Sequence, residues 1–323
     1  MVATIQQIYD TMIKIGRKND PRPASEVEAI LKEAKESNKK LDKKKKLYFD
    51  EERMVNPYLD ARVLYGDRKR KIKTAMVCID ADKSEIMLAN ELRKNGTPID
   101  LVISHHPEGR ALIDLTQVMG VQNDIMGHYG VSVNVAEKLL AKRTAQLDRG
   151  LHPINHYQHV DAARLLDIPF MTCHTPADNS VHKFITDFVK KGEKKWKNVG
   201  EFMEALLEIE ELHEGKKLGM GPMVFAGSEK SKLGKIAVTG MTGGTSGSED
   251  IYEQLSRAGV GTIVSMHMSE KPRELAEKHH LNVVITGHMP SDSIGMNLVM
   301  DHIEKQGVKL IPAGGFIRVK RKA

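Results

Sequence analysis

Apolar positions follow two alternating textures along this chain. Short unbroken apolar runs, KTAMVCID (73–80), IDLVIS (99–104) and PFMTC (169–173), are separated by longer segments whose apolar residues recur at helical spacing: SEIMLANELRKNG (84–96), VSVNVAEKLLAKRTAQL (131–147) and INHYQHVDAARLLD (154–167). Unbroken apolar runs of four to eight residues bounded by turn residues predict strands buried on both faces. A second series repeats the alternation: strands GPMVFAG (221–227), KIAVTG (235–240), GTIVSM (261–266) and LNVVITG (281–287), helices EDIYEQLSRAG (249–259) and PRELAEKHH (272–280), a helix to Gly307 and a closing pair of strands. The predicted fold is therefore α/β, with mostly parallel sheets flanked by helices and two related halves facing a shared crevice. Residues 1–55 read as a helical extension, 56–214 as the first half and 215–323 as the second.

Composition narrows the class. With 323 residues the chain can bury a sizeable core, and its two cysteines, Cys78 and Cys173, each fall inside an apolar run, so they read as free thiols in a reducing compartment. The absence of a long apolar run or a secretion-type leader predicts a cytoplasmic protein with no membrane partner. The formal charge of +6 is concentrated in KKLDKKKK (39–46), RKRKIK (68–73) and KKGEKKWKN (190–198). Without an accompanying aromatic or helix-turn-helix signature, these runs point to solvated helix faces rather than to a nucleic-acid surface.

The chemistry concentrates at strand ends. Three times an apolar run stops at His-x-Pro: His105-His106-Pro107, His174-Thr175-Pro176 and His288-Met289-Pro290, the last two followed by Asp178 and Asp292. Helix-start chemistry explains part of this, since Thr175 suits an N-cap, Pro176 the first helical position, and Asp178 a bond back to the helix start, with Pro290 and Asp292 placed alike. It leaves the histidines unexplained. Imidazole and carboxylate converging at the carboxyl ends of strands form an ordinary ligand set for zinc, manganese or iron, and a carboxylate-bridged pair of divalent ions is the economical use of these groups.

Other residues are candidates on weaker grounds. Glu108, two residues after His106, is the nearest acid or base, though a surface or turn role also suits it. The turn TGMTGGTSGSED offers backbone amides at Gly243, Gly244, Thr245 and Ser246 to an anion, although tight turns need glycine in any case. His128, His156 and His267 are expected to line the pocket, His156 sharing a helix face with His152 and His159.

DLVISHHP, HTPAD, the glycine-rich VTGMTGGTSGS and TGHMPSD together resemble the Nif-three-like (Ngg-one-interacting-factor-three-like) family, also labelled GTP cyclohydrolase I type 2-like, over residues from about 55 to 323. The resemblance implies a dinuclear centre held by His105, His106, Asp178, His288 and Asp292, with His174 beside the metals or against substrate. The family usually carries glutamate where this chain has Asp292. It further implies a metal-dependent hydrolase acting on a small nucleotide or phosphoester substrate, assembled as a homo-oligomer, commonly a hexameric ring; the alternative is a non-catalytic metal-binding scaffold that works through protein partners.

Overall fold

The computed structural model describes residues 2–321. Helices α1 (Ile5–Asn19), α2 (Ala24–Lys40) and α3 (Lys43–Lys46) open the chain. The first series then runs β1 (Val63–Tyr65), β2 (Thr74–Cys78), α4 (Lys83–Lys94), β3 (Leu101–Ser104), α5 (Gly109–Ile113), α6 (Val121–His128), α7 (Val133–Leu151), α8 (Gln158–Leu165), β4 (Phe170–Thr172) and α9 (Thr175–Gly192). Two short helices, α10 (Val199–Leu206) and α11 (Glu210–Lys217), lead to the second series: β5 (Met223–Ala226), β6 (Lys235–Val238), α12 (Ile251–Arg257), β7 (Val260–Ser265), α13 (Glu270–Lys278), β8 (Asn282–Ile285), α14 (His288–Glu304) and β9 (Lys309–Ala313). No helix among the described residues is long and apolar enough to cross a membrane.

The two sheets share one plan. The first has the order β1-β4-β3-β2-β9 and the second β5-β8-β7-β6, each mostly parallel with an antiparallel edge strand, β1 on β4 and β5 on β8. Both sheets are covered on both faces, which is why their strands read as unbroken apolar runs. In β2, Ala75 and Val77 join a core with α1 and α14, while Met76 and Cys78 face α4 and α8. In β6, Ile236 and Val238 face α9, α10 and α11, while Ala237 faces α12 and α13. The order is thus helices, sheet, helices, sheet, helices, with α9 and α14 packed together in the middle layer. Cys78 and Cys173 are buried free thiols.

Three expectations change. The closing pair of strands is a single strand, because residues after Gly315 are held by side chains instead: Arg318 reaches Asp301 at 2.5 Å and Glu304 at 3.2 Å, and Arg321 reaches the buried Glu211 at 2.6 Å. That single strand, β9, lies within 215–323 yet pairs in parallel with β2 of the first sheet, so the sheets do not divide at residue 214. Helix α1 is also no outlying extension. Its apolar face, Ile5, Ile8, Met12 and Ile13, is buried in the first core, and Gly16 lies so close to α9 that a Cβ there would sit 2.9 Å from the Cα of Pro176.

Helix α9 is buried throughout residues 175–182. Its His182 has an Nδ1 atom with no hydrogen-bond partner, and burial, with smaller contributions from His128 and Lys190 and against Asp20, pushes its pKa down to about 4. A base whose pKa falls on folding binds fewer protons folded than unfolded. Stability is therefore unaffected above the unfolded value near 6.5 and falls as pH drops towards 4. Lowering the pH from about 7 to about 5 should cost the wild type roughly 2 kcal/mol more than His182→Leu. Urea unfolding of both proteins at the two pH values checks this; parallel losses would show that His182 is not the titrating group.

Candidate metal centre

The repeat in topology places the motifs. By sheet position β4 corresponds to β8, and β3 to β7, so HTPAD after β4 and GHMPSD after β8 are true counterparts. LVISHHP is more similar in wording to VVITGHMP, but by strand order it corresponds to IVSMHM, which makes His267 the positional partner of His106. These strand ends of both halves meet at one crevice lined by His105, His174 and Asp178 from the first half and His267, His288 and Asp292 from the second.

Asp292 lies at the centre. It is wholly buried, and neither carboxylate oxygen has a hydrogen-bond partner. Oδ1 faces His105 Nε2 at 3.4 Å; Oδ2 faces His106 Nε2 at 3.5 Å and His288 Nε2 at 3.4 Å. Asp178 Oδ1 lies 3.4 Å from His105 Nε2, and its Oδ2 lies 3.6 Å from His174 Nε2. Three groups have ligand atoms close enough for one ion: His105, Asp178 and Asp292; His106, His288 and Asp292; and His105, His106 and His174. The first two share Asp292, one oxygen towards each.

The imidazoles are oriented from behind. His105 Nδ1 lies 3.2 Å from the Cys173 carbonyl, which can only accept, so Nδ1 carries the proton and Nε2 turns a lone pair into the crevice. His106 Nδ1 is held by Asp80 at 2.6 Å, and His174 Nδ1 by the buried Asp60 at 2.8 Å. Lone pairs of imidazoles then face carboxylate oxygens, an arrangement that only positive charge between them relieves. The titration of the cluster reports the same demand. Burial opposes charging His174, yet Asp178 and Asp60 push it up to about 9; burial likewise opposes His105, which Asp292 and Asp178 raise. Burial lifts Asp178 to about 6 against His174 and His105, and drives His288 down to about 4. For Asp292 burial is outweighed by His105, His288 and His106, which hold it below the ordinary carboxylate range. An unpaired buried carboxylate ringed by Nε2 atoms fits a divalent cation.

Several sequence expectations are redirected. Thr175 does not cap α9; its hydroxyl donates to Asp60 at 2.6 Å. Helix α14 begins at His288, so Asp292 lies beyond the first turn, and both aspartates spend their oxygens on the crevice rather than on helix starts. Glu108 stands outside the cluster, with Oε2 2.6 Å from His159 Nδ1. His128 is exposed at the end of α6, and His156 packs edge-on to Tyr157, its Nδ1 3.3 Å from the Ile154 carbonyl; neither lines the crevice, whereas His267 does, its ring centroid 4.6 Å from that of His288.

The glycine-rich turn is explained by packing. Gly243 and Gly244 have φ of +96° and +80°, a Cβ on Gly243 would lie 2.6 Å from Gln122 Cγ, and Gln122 Nε2 donates to the carbonyls of Gly243 and Thr245. Arg143 donates to the carbonyl of Ser246. The loop is therefore pinned to α6 and α7, and Gly244 and Thr245 form a wall of the crevice. Asp60 and Asp80 were missed in the sequence. Asp80 had a usable signal, because it ends the strand run beside the one that ends in His105-His106.

A family model described as Duf34/NIF3 (NGG1p interacting factor 3) matches residues 121–313. The crystal structure of a NIF3 superfamily protein from Sphaerobacter thermophilus is similar with a TM-score of 0.73 and 26% identity over 81% of this chain and 93% of that one. Reduced HcgD from Methanocaldococcus jannaschii (TM-score 0.47, 16% identity, 77% of this chain and 87% of that one) and a Bacillus cereus protein related to NIF3 (0.44, 12%, 79% and 91%) are more distant. No curated protein matches the chain.

Proposed function

The chain belongs to the Duf34/NIF3 family, and from that premise we propose that it is a metal-dependent hydrolase of a small phosphoester- or nucleotide-type substrate, with two divalent ions in the crevice. The observation that carries the reading is Asp292, a buried carboxylate without hydrogen bonds that turns one oxygen to His105 and the other to His106 and His288. His105, Asp178 and Asp292 would hold one ion, and His106, His288 and Asp292 the other. Two such ions supply Lewis acidity for a substrate oxygen and acidify water at neutral pH.

The chain's own groups do the rest. Cys173 and Asp80 fix the rings of His105 and His106, so the ligand lone pairs are aimed before any ion arrives. His174, clamped by Asp60, presents Nε2 to the same space as Asp178 and is positioned to hold or pass a proton at the substrate. Thr242, Gly244, Thr245, Met266 and His267 form the remaining walls of the crevice. Protein purified without chelator should carry about two divalent ions per chain and hydrolyse at least one member of a phosphomonoester, phosphodiester and nucleotide panel. Clearly less than one ion per chain would end the metal reading, and a metal-loaded protein silent on the whole panel would end the hydrolase reading.

A further inference from the structure

Of the three basic runs, two are accounted for by the fold. In 68–73, Arg68 lies over the Tyr9 ring and 3.2 Å from Glu52, Arg70 reaches Asp167 at 3.3 Å, and Ile72 is buried. In 190–198 the one large apolar side chain, Trp196, packs against Phe188 and Phe202. The run at 39–48, KKLDKKKKLY, is different. Its six lysines are all exposed, and none is ion-paired among the described residues, whereas Lys94, Lys183 and Lys217 each meet an acid three or four residues away. Its single acid, Asp42, caps α3 by accepting from the Lys45 amide. The run ends in Leu47 and Tyr48, at 80% and 85% exposure the two most exposed large apolar side chains among the described residues.

The fold presents these groups together. Helix α2 packs against the 3-10 turn Glu51–Met54, and Asn38 donates to Met54 Sδ at 3.3 Å, so residues 41–50 leave and rejoin the body at one place and form a tip. Leu47 N donates to the Lys44 carbonyl at 3.3 Å and Tyr48 N to that of Lys45 at 3.1 Å; helical winding thus continues past α3 and sets Leu47 and Tyr48 one turn on from Lys44 and Lys45. Uncompensated positive charge repels a second copy of the same tip and calls for an anionic partner. Leucine gains nothing from a phosphodiester backbone. Both it and tyrosine gain by leaving water at the boundary between lipid headgroups and acyl chains, while the tyrosine hydroxyl and the ammonium groups stay at headgroup level.

We propose that this tip is a docking surface for an anionic phospholipid bilayer, with Lys43–Lys46 at the headgroup phosphates and Leu47 and Tyr48 inserted beneath them. A surface contact needs no spanning helix, so it is compatible with the lack of one among the described residues. None of these side chains lines the crevice, and docking is read with metal removed, so it stands apart from the hydrolase reading.

Sedimentation of the full chain with vesicles in EDTA tests this. Vesicles of phosphatidylcholine with about 30% phosphatidylserine should bind the protein at least about tenfold more tightly than phosphatidylcholine alone, and raising salt from about 0.1 to about 0.5 M should weaken that binding about tenfold. Lys43→Glu, Lys44→Glu, Lys45→Glu and Lys46→Glu together should abolish the preference, whereas Lys191→Glu, Lys194→Glu, Lys195→Glu and Lys197→Glu together, an equal change of charge beside the packed Trp196, should leave most of it. Leu47→Ser with Tyr48→Ser keeps the charge and should weaken binding about tenfold. All the exchanged side chains are exposed, and unfolding temperatures check that the variants are folded. Tyr48→Trp, which keeps the amphipathic character, should add a blue-shifted emission on the anionic vesicles over the Trp196 background, a reading that removes nothing from the tip. Equal sedimentation with both vesicle types, none with either, full binding by the Leu47→Ser, Tyr48→Ser variant, or equal losses from the two sets of glutamate exchanges would each overturn the proposal. Tighter binding of a single-stranded oligonucleotide than of the anionic vesicles at the same salt would overturn it in favour of nucleic acid.

Discussion

Asp292→Ala should empty the metal centre. The side chain is the one member common to both groups of His105, Asp178 and Asp292 and of His106, His288 and Asp292, so its loss leaves each with two ligands and removes a negative charge from between three imidazoles. Co-purified divalent metal, measured by plasma mass spectrometry, should fall to about a tenth of the wild-type content or less. Stability separates this from simple misfolding. In chelator the variant should still unfold in one cooperative transition, though below chelated wild type, because His105, His288 and His106 lose the carboxylate they stabilise. Added metal at about a hundredfold over its dissociation constant should stabilise the wild type by roughly 2.7 kcal/mol for each ion bound and the variant hardly at all. A variant that still holds both ions would show that Asp292 is not the shared ligand.

A second large effect should follow from Gly295→Ala, which touches no proposed ligand. Gly295 lies on α14 where that helix crosses α9, and a Cβ there would sit 2.3 Å from the Ala177 carbonyl oxygen and 2.8 Å from its carbon. Both neighbours are backbone, so relief requires the helices to part. Overpacking of this kind costs about 1–3 kcal/mol, and a backbone clash belongs at the upper end. The helices carry the site with them, since Asp178 is the next residue after Ala177, and Asp292 is one turn before Gly295. Urea unfolding should therefore show a loss of about 3 kcal/mol, and metal titration a drop in affinity of about tenfold or more. Gly150→Ala is the control: Gly150 is in α7, nothing lies within 4 Å of its added Cβ, and the substitution should stabilise by about 0.5 kcal/mol. Equal stability of Gly295→Ala and wild type would show that the α9–α14 contact has slack.

Strands buried on both faces were legible because covering both sides of a sheet leaves an unbroken apolar run, as in KTAMVCID and GTIVSM. The strand-end histidines were legible for a related reason: a polar ring that ends such a run has few places to go but the crevice. Helix-cap arithmetic misread Thr175, because a hydroxyl can choose between its own helix and a carboxylate brought from far along the chain, here Asp60. The partnership of Asp60 with His174 spans 114 residues, and no local pattern encodes it. The counterpart of HHP is hidden for the opposite reason. VVITGHMP looks more like LVISHHP than IVSMHM does, yet strand order, which similarity of a few residues does not report, pairs β3 with β7. Helix α1 has apolar residues at helical spacing, IQQIYDTMIKIG, but nothing in that spacing says which apolar face elsewhere will cover it.

The return of β9 to the first sheet bears on how the protein is made. β2 lies between β3 and β9, so until residues 309–313 are available one whole edge of β2, from Thr74 to Cys78, has no backbone partner. A ribosome emitting this chain from its N-terminus therefore exposes an apolar strand edge for most of translation, the condition under which nascent sheets pair with the wrong neighbour. The crevice is completed late as well, because His267, His288 and Asp292 emerge in the last fifth of the chain. Any ion held by Asp292 together with His105 or His106 would therefore bind only after residues of both halves have been synthesised.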